Sequence, residues 1–309
     1  NNGGGLDGGS ALYDKFMQIG SEVACIVSMI VPMRWMIQYR VKGINKDWVN
    51  RELHCNQYVH LKYDEESRNI FDGVNIRGGI MYFVKNRKYN GMCDVEEIGS
   101  GEIHKRYLAS EGIDIFVIND TEEHILEKVH SRYTFDSIVG STNEFGLESN
   151  SITTGTELKL YRSFGTIDTC DLAEIPKGHE FVDMYKVIIG RTFGTGKRGE
   201  RLPIPRIIGP KEVCTGSLLM IGKSFDRKYC ENVAKYMQTK FMSLLVGMHK
   251  STHNGTKEAY TFVPLQDFSS RSDIDWSKSI SDIDQQLYKK YNLTSDEILY
   301  IEKTIKPMQ

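Results

Sequence analysis

The chain has 309 residues, a mass of 35.3 kDa and a formal net charge of −2. With 40% hydrophobic and 26% charged residues, its composition is ordinary for a globular protein and excludes a chain that is disordered throughout. The length leads us to expect two domains.

Cysteine spacing and hydropathy place further bounds on the protein. The six cysteines show no C-x-x-C pair, so we expect reduced thiols in a cytoplasmic protein and no metal site. No apolar run approaches the roughly 18 residues of a membrane span, and we expect neither a membrane partner nor a signal peptide.

The first elements predict an α/β sheet. Ser10 is expected to cap a helix in which Leu12, Phe16 and Ile19 share one face. The apolar run 24–31 is typical of a parallel-type strand that is buried on both faces. Arg34 and Trp35 follow at its carboxyl end, where open α/β sheets place functional side chains. An edge ion pair and a core aromatic are the structural alternatives for these two residues.

The next segments extend that sheet. Asn45 is expected to cap a second helix, and strands are predicted over 59–63, 80–84 and 92–98. This first unit is expected to end near residue 105.

The stretch 69–84 combines an aromatic with polar side chains and paired glycines. Phe71, Asn75 and Arg77 precede Gly78 and Gly79 and an apolar strand. An ordinary strand pair does not need this combination, whereas bare backbone beside an aromatic suits a site that a flat ligand approaches closely. On composition alone, a core position for Phe71 is the favoured interpretation.

The second half of the chain is predicted to contain short strands and turns between helices. A short amphipathic helix is predicted over 121–133, followed by short β-like pieces and turns from 135 to 221. The longest helix is expected over 226–248, capped by Asp226. Two helices are expected at 281–291 and 294–305, the latter opened by a capping box of Thr294 and Glu297.

A basic segment in this half indicates an anion-facing surface. It contains Lys186, Arg191, Lys197, Arg198, Arg201, Arg206 and Lys211 but one acid, Glu200. Its G-x-G-x-x-G sequence at 194–199 leads to prolines rather than to a helix, which argues against a dinucleotide site and favours a loop that contacts nucleic-acid phosphates. A solvated loop with a chance excess of charge is the alternative.

Two other motifs are weak. His249 and His253 have metal-ligand spacing, but Lys250 replaces the glutamate that a metalloprotease needs. Glu157 and Lys159 have the E-x-K spacing of metal-dependent nucleases, and such triplets arise often by chance.

Several segments in order resemble the type II restriction-modification adenine-N6 DNA methyltransferases. They are Ile30–Trp35, Phe71–Phe83 with Asn90–Gly91, Glu144–Leu147, Cys214–Thr215, Thr239–Phe241, Phe262–Phe268, Leu287–Leu293 and Ile305–Met308. The resemblance extends over nearly the whole chain, from Leu6 to Met308.

This resemblance implies a fold and a cofactor. The fold would be α/β, with residues 1–105 forming the carboxyl-terminal part of a Rossmann-like methyltransferase sheet and residues 106–309 a mixed α+β target-recognition domain with a helical end. The methyl donor would be S-adenosylmethionine. The Asn-Pro-Pro-Tyr motif of the family and its donor-binding glycine motif are absent from these residues, so we expect this chain alone to be inactive.

The resemblance also implies roles for particular residues. Phe71 would stack on a flipped adenine, and Arg34, Trp35, Asn75 and Arg77 would bind substrate. Arg34, Asn75 and Arg77 would line the pocket edge or the phosphate path. The DNA-binding residues would be Phe145, Lys186, Arg191, Lys197, Arg198, Arg201 and Arg206. The implied partners are double-stranded DNA and either an amino-terminal methyltransferase half or a restriction endonuclease. A specificity module without chemistry and a metal-dependent nuclease are the alternatives.

Overall fold

A computed structural model describes residues 11–37, 41–74, 76, 78–194, 199–249 and 255–306. Contacts divide the chain into two compact units, unit 1 over residues 1–120 and unit 2 over residues 121–309, and each is described by itself. Within the described ranges, no helix has both the length and the apolar character that crossing a membrane requires.

Unit 1 is a mixed sheet with helices. Its elements are α1 (Tyr13–Val23), β1 (Ile26–Pro32), α2 (Arg34–Ile37), α3 (Lys46–His54), β2 (Tyr58–Asp64), β3 (Ile80–Asn86), β4 (Cys93–Glu97) and β5 (Ile103–Arg106). The strand order is β1-β3-β2-β4-β5. Strand β3 runs antiparallel to both β1 and β2, β4 is parallel to β2, and β5 is antiparallel to β4.

The predicted strands β2, β3 and β4 are confirmed, as is the cap of α3. The Asn45 side chain accepts hydrogen bonds from the backbone N–H groups of Asp47 and Trp48. The mixed α/β class is therefore correct, and the Rossmann-like character of the sheet stays a prediction.

Strand β1 departs from its prediction. It lies at an edge of the sheet, pairs antiparallel with β3, and alternates between covered and exposed side chains, with Ile26 and Ile30 exposed. The expectation of a parallel-type strand buried on both faces is wrong because a continuous apolar run does not reveal whether the second face is covered within the same chain.

Helix α1 also differs from expectation. The predicted apolar face of Leu12, Phe16 and Ile19 is exposed, whereas Tyr13 and Met17 point inward. Ser10 lies outside the described residues, and Leu12 occupies the N-cap position. The spacing is helical as predicted, but the apolar stripe does not form the core of this chain.

Unit 1 continues past the expected boundary near residue 105. After β5, Leu108 and Phe116 return to the hydrophobic core, and Arg106 Nη1 donates to the Val117 carbonyl at 3.0 Å. The guanidinium of Arg106 also lies 4.9 Å from the centre of the Phe116 ring. These contacts place the division near residue 120. The separate catalytic and recognition roles of the two parts stay predictions.

Unit 2 contains short strands followed by helices. The elements are α4 (Asp120–Val129), β6 (Leu158–Tyr161), β7 (Ile167–Cys170), β8 (Tyr185–Gly190), β9 (Arg206–Ile208), β10 (Glu212–Cys214), β11 (Leu218–Ser224), α5 (Arg227–Met237), α6 (Lys240–His249), α7 (Ile280–Lys290) and α8 (Ser295–Thr304). The strands form two three-stranded sheets, β10-β6-β7 and β11-β8-β9. The helices α4, α7 and α8 and the capping box of Thr294 and Glu297 agree with the sequence predictions.

The predicted long helix 226–248 is two helices, α5 and α6. Asp226 caps α5 as expected, through its contact with the Lys228 N–H. The Thr239 hydroxyl donates to the Tyr236 carbonyl and accepts the Met242 N–H, which closes one helix and opens the next. The apolar periodicity continues across the break, so the sequence pattern did not reveal it.

Candidate nucleic-acid interface

The first candidate site is the loop 65–79 of unit 1, which joins β2 to β3. Residues Pro32, Ile80 and Asp64 are register neighbours on β1, β3 and β2. The carboxyl ends of β1 and β2 therefore meet at the amino end of β3. Because β4 is parallel to β2, its carboxyl end lies at the same end of the sheet. The loop is thus built where open α/β sheets place ligand sites.

Side-chain hydrogen bonds brace this loop internally. The buried Ser67 hydroxyl donates to the Val74 carbonyl at 3.0 Å and accepts the Ile76 N–H at 2.7 Å. The buried Asp64 carboxylate accepts from Asn69 Nδ2 at 3.0 Å and from the Glu66 N–H at 2.7 Å. The Asp64 contacts fix the start of the loop to the end of β2, and the Ser67 contacts join that start to the later part of the loop.

Gly79 closes the loop against β2. Its φ of +72° lies in the left-handed region, and a Cβ there would lie 2.3 Å from the Asp64 carbonyl oxygen. Glycine is therefore required on conformational and steric grounds. The sequence suggested that a ligand approaches bare backbone here. In the structure, the backbone of Asp64 makes that close approach to Gly79.

Phe71 is 38% exposed at the tip of this loop, next to the similarly exposed Ile70 and near Val74. The core position that composition favoured is therefore wrong. Three exposed apolar side chains on a braced loop form a surface on which a planar apolar group can pack. Stacking of Phe71 on a base stays a prediction.

The other unit 1 candidates divide into three groups. Trp35 is fully buried with its ring centroid 5.1 Å from that of Trp48, so its predicted substrate contact is replaced by a core role. Arg34 is half-buried beside Tyr13. Burial raises the pKa of Tyr13 to about 12, and the Arg34 charge opposes that rise. Asn75 and Arg77 lie outside the described residues.

Among the described residues of the loop, exposed acids outnumber exposed bases. Glu65, Glu66 and Asp72 are exposed, and Arg68 is the exposed base among the described loop residues. An acidic rim repels phosphate groups, so this surface suits a base better than it suits the nucleic-acid backbone. The expected phosphate path along this edge is not supported by the described charges.

The second candidate site is a cleft of about 560 Å³ in unit 2. It lies where β8 ends and β11 begins, since Gly190 and Leu218 are register partners. Its lining includes Arg191, Glu148 and several hydroxyl side chains, Ser149, Ser163, Thr192 and Ser217. The Arg191 backbone N–H donates to the Ser217 carbonyl at 3.0 Å. This bond holds the backbone of Arg191 at the cleft.

The chemistry of this cleft suits the recognition of base edges. Arginine offers paired donors, a carboxylate offers acceptors, and hydroxyls offer either, which are the groups that distinguish bases in a groove. Hydroxyl side chains were not singled out in the sequence because serine and threonine are common in loops, and only the fold brings these four together.

Several predicted DNA contacts are corrected by their burial or their internal partners. Phe145 is fully buried in the core of unit 2. Lys186 is fully buried as well, and its ammonium donates to the carbonyls of Phe181 at 2.8 Å and Val182 at 3.1 Å. Arg201 donates to the carbonyls of Lys306 at 2.9 Å and Gln238 at 2.6 Å, so it braces the end of α5.

The remaining basic residues differ in exposure. Arg206 is exposed, and its guanidinium lies 5.5 Å from the centre of the Tyr161 ring. Arg191 lines the cleft. Lys197 and Arg198 lie outside the described residues, as do Lys250 and His253. Of the predicted DNA-binding residues, Arg191 and Arg206 lie where they can contact a ligand.

Metal and thiol chemistry receive little support from the described residues. All six cysteines are free, and in the described part of the chain no group of three or more His, Cys, Asp or Glu side chains is arranged to hold a metal ion. Burial raises the pKa of the Cys93, Cys214 and Cys230 thiols to about 12, which makes them poor nucleophiles.

Comparison with known proteins gave matches among solved structures alone. No family model and no curated protein matches the chain. It is similar to the type IIG restriction endonuclease BpuSI, with a TM-score of 0.34 and 10% identity, over 96% of this chain and 48% of that one. It is also similar to the type IIL restriction-modification enzyme MmeI in complex with DNA, with a TM-score of 0.46 and 8% identity, over 94% of this chain and 50% of that one. The chain spans about half the length of each.

Proposed function

We propose that this chain takes part in site-specific adenine-N6 methylation of double-stranded DNA in a restriction-modification system. Unit 1 supplies one wall of the adenine pocket through Phe71, and unit 2 recognises the target sequence. The observation that carries this proposal is an exposed aromatic on an internally braced loop, at the end of the sheet where the carboxyl ends of β1, β2 and β4 meet.

The chemistry of adenine methylation explains why such a wall is needed. Adenine in a duplex is stacked and paired, so an enzyme must extrude it at a cost of a few kcal/mol. An aromatic side chain that stacks on the extruded base returns about 1–3 kcal/mol. Phe71 is suited to this role because its ring is already exposed on a fixed loop and no core contact must be broken.

The described residues do not fit S-adenosylmethionine. No paired-glycine turn in the described part of the chain leads into a helix N-terminus, the arrangement that receives such a cofactor in Rossmann-like folds. The glycines at 3–5 and 8–9, ahead of α1, lie outside the described residues. We place the donor site mainly outside residues 1–309, on a preceding part of the same protein or on a separate polypeptide. This chain positions the base and recognises the sequence.

A two-stage experiment tests this function. The chain is first incubated with a pool of random duplexes, and the bound fraction is sequenced to obtain the preferred site. Methyl transfer from labelled S-adenosylmethionine to that site is then measured with residues 1–309 alone and after addition of the donor-binding part of the methyltransferase, whether that part precedes these residues in one protein or is a separate chain. We expect a shared sequence motif, no transfer by the chain alone, and N6-methyladenine in the mixture.

Two results would contradict this assignment. Methylation by the chain alone would show that the donor site lies within it. A bound pool without any shared motif would remove the recognition role of unit 2.

A DNA-binding specificity module without chemistry is the second candidate, and the Arg191 cleft favours it. This cleft offers recognition groups whether or not a methyltransferase is attached. Sequence-specific DNA binding in a gel shift, with an affinity that falls steeply as salt rises, would favour this candidate if no mixture transferred a methyl group to the DNA.

The nuclease alternative loses support from the contacts of its two residues. Lys159 forms an ion pair with Glu212 at 3.3 Å, and Glu157 accepts the backbone N–H of Leu172 at 3.0 Å. Both side chains therefore have structural partners on their own unit.

A further inference from the structure

Two cations from different sheets of unit 2 meet over one tyrosine ring. Lys159 lies on β6, and its ammonium is 5.0 Å from the centre of the Tyr161 ring. Arg206 begins β9 in the other sheet, and its guanidinium is 5.5 Å from the same centre. Tyr161 itself is buried in the core that both sheets share. A ring fixed in the core therefore holds two surface charges as near neighbours.

The Glu212 carboxylate neutralises part of this charge. Glu212 Oε1 lies 3.3 Å from the Lys159 ammonium and accepts the Tyr161 hydroxyl at 3.0 Å. Hydrogen bonds with Tyr161 and Glu212 raise the pKa of Lys159, so the ammonium stays charged. Arg206 is exposed, and its guanidinium has no hydrogen-bond acceptor among the described residues. The two cations and one carboxylate leave a positive excess and open donors for an anion.

These side chains lie beside the cleft of unit 2. Ser163, which lines the cleft, follows Tyr161 by two residues. Gly190, which also lines it, follows Ile188 by two residues, and Ile188 is the register partner of Arg206. Two residues of extended chain span about 7 Å. On both sheets, the cations are therefore separated from the cleft by one short step along the backbone.

We propose that Lys159 and Arg206 bind the phosphate backbone of DNA next to the base pair whose edge enters the cleft. This inference rests on the proposed function, in which unit 2 recognises the target sequence. Phosphate contacts fix the position of a protein on the duplex, and base contacts read the sequence. Cations one short step from a cleft that offers recognition groups are placed to make the first kind of contact while the cleft makes the second.

Glu212 has a defined part in this contact. In the free protein its carboxylate pairs with Lys159, and an arriving phosphate must share or replace that partner. The Tyr161 hydroxyl and the Gly209 N–H hold the carboxylate in place, so it stays close to the bound phosphate. Its negative charge therefore lowers the affinity of unit 2 for the DNA backbone of any sequence.

The experiment measures binding of the complete chain to two duplexes of equal length, the selected site and a random sequence. Fluorescence anisotropy at several salt concentrations gives the affinity and its salt slope. The variants are Lys159→Ala, Lys159→Arg, Arg206→Ala and Glu212→Gln. Lys228→Ala is the matched control, because Lys228 is also an exposed lysine 3.3 Å from a carboxylate, that of Glu231.

We expect Lys159→Ala and Arg206→Ala each to weaken binding of both duplexes by the same factor, about three- to tenfold at 0.1 M salt. Each should also reduce the slope of log affinity against log salt by about one. Lys159→Arg should retain the parent slope because it keeps the charge. Glu212→Gln should tighten binding of both duplexes by about two- to fivefold, because it removes a negative charge from the phosphate path.

Three results would overturn the proposal. The first is an unchanged salt slope in both alanine variants, and the second is a loss of affinity confined to the selected duplex. The third is an equal loss of slope in Lys228→Ala, which would reflect overall charge rather than a local contact. Circular dichroism should show that Lys159→Ala and Arg206→Ala stay folded, because both side chains reach the surface.

Failure of this contact and failure of the function have different signatures. Sequence-specific binding and methyl transfer with unchanged slopes would remove the phosphate contact and leave the function intact. Lower slopes in the two alanine variants, with no methyl transfer in any mixture, would retain the contact and remove the function. No binding of either duplex by the parent protein would overturn both.

Discussion

The Asp284 carboxylate of α7 accepts the backbone N–H of Phe241 at 2.9 Å, at the first turn of α6. Its other oxygen accepts the Lys240 N–H at 3.0 Å. A side chain from a later helix thus caps the helix that begins after the break at Gln238 and Thr239. Replacement of Asp284 by Ala should lower the free energy of unfolding by about 1–2 kcal/mol or more, measured by urea denaturation. The matched control is Asp282→Ala, which removes the first-turn acid of α7 but no contact with α6; an equal loss there would contradict this role.

The same carboxyl should make stability depend on pH. Burial raises the pKa of Asp284 from 3.8 to about 6, although the two backbone N–H groups oppose that rise. Between about pH 4 and 6 the folded state keeps a proton that the unfolded chain has released, so this contribution to stability falls as pH rises through the window. Asp284→Asn does not titrate. The difference in unfolding free energy between Asp284→Asn and the parent protein should therefore shift in favour of the variant from pH 4 to 6, and parallel curves would contradict the assignment.

Phe71→Ala should weaken binding to DNA that contains an extruded base. The expected loss of binding free energy is about 1–3 kcal/mol, or roughly 5- to 150-fold in affinity. Binding of this chain, mixed with the donor-binding part of the methyltransferase, to a duplex with 2-aminopurine at the target position would be measured by fluorescence. Phe71→Trp should retain binding because indole also stacks. The melting temperature should change little in either variant because the ring is exposed, whereas Phe145→Ala should cost about 3–5 kcal/mol as a core change. Equal DNA affinity of Phe71→Ala and the parent protein would reject the stacking role.

Arg191→Ala should weaken specific DNA binding by about 1–3 kcal/mol if the guanidinium contacts a base edge. A phosphate contact would instead weaken all sequences alike and reduce the salt slope by about one. Arg227→Ala is the control, since Arg227 is exposed on α5 and paired with Glu231 at 3.1 Å. Binding isotherms over several salt concentrations separate these outcomes, and unchanged affinity for every sequence would exclude the cleft from DNA recognition.

Lys186→Met should stabilise unit 2 at pH 7 without changing its DNA affinity. Burial lowers the pKa of Lys186 to about 8, so at neutral pH the folded state must hold a charge in its core. Stability of the parent protein should rise between about pH 8 and 10.5, where the unfolded chain still holds a proton that the folded chain has lost. The variant should lack this rise and gain about 1 kcal/mol or more at pH 7. A loss of DNA affinity in Lys186→Met would contradict this prediction and indicate that Lys186 contacts DNA.

The local elements of the fold could be predicted from the sequence because caps and periodicity act over a few residues. The cap residues Asn45, Asp226 and Thr294 are found where they were expected. The break between α5 and α6 depends on Asp284, more than forty residues away, and no local pattern encodes it.

Side-chain exposure was harder to predict from the sequence than secondary structure. The spacing of Leu12, Phe16 and Ile19 correctly predicts a helix, yet apolar residues at helical spacing do not state which surface covers them. Lys186 was grouped with exposed cations because charge is visible in a sequence and burial is not. Conversely, Phe71 was expected in the core on composition, and its exposure became evident only with the braced loop around it.

The Ser67 hydroxyl, which links Val74 to Ile76, has a consequence for the energetics of ligand binding. A loop that is already ordered before a base arrives loses little backbone entropy when contact is made, so most of the stacking energy is available as affinity. Ser67→Ala removes that link and leaves the Phe71 side chain unchanged. It would convert a pre-organised surface into one that must become ordered on each encounter, with a more unfavourable binding entropy and a slower association rate.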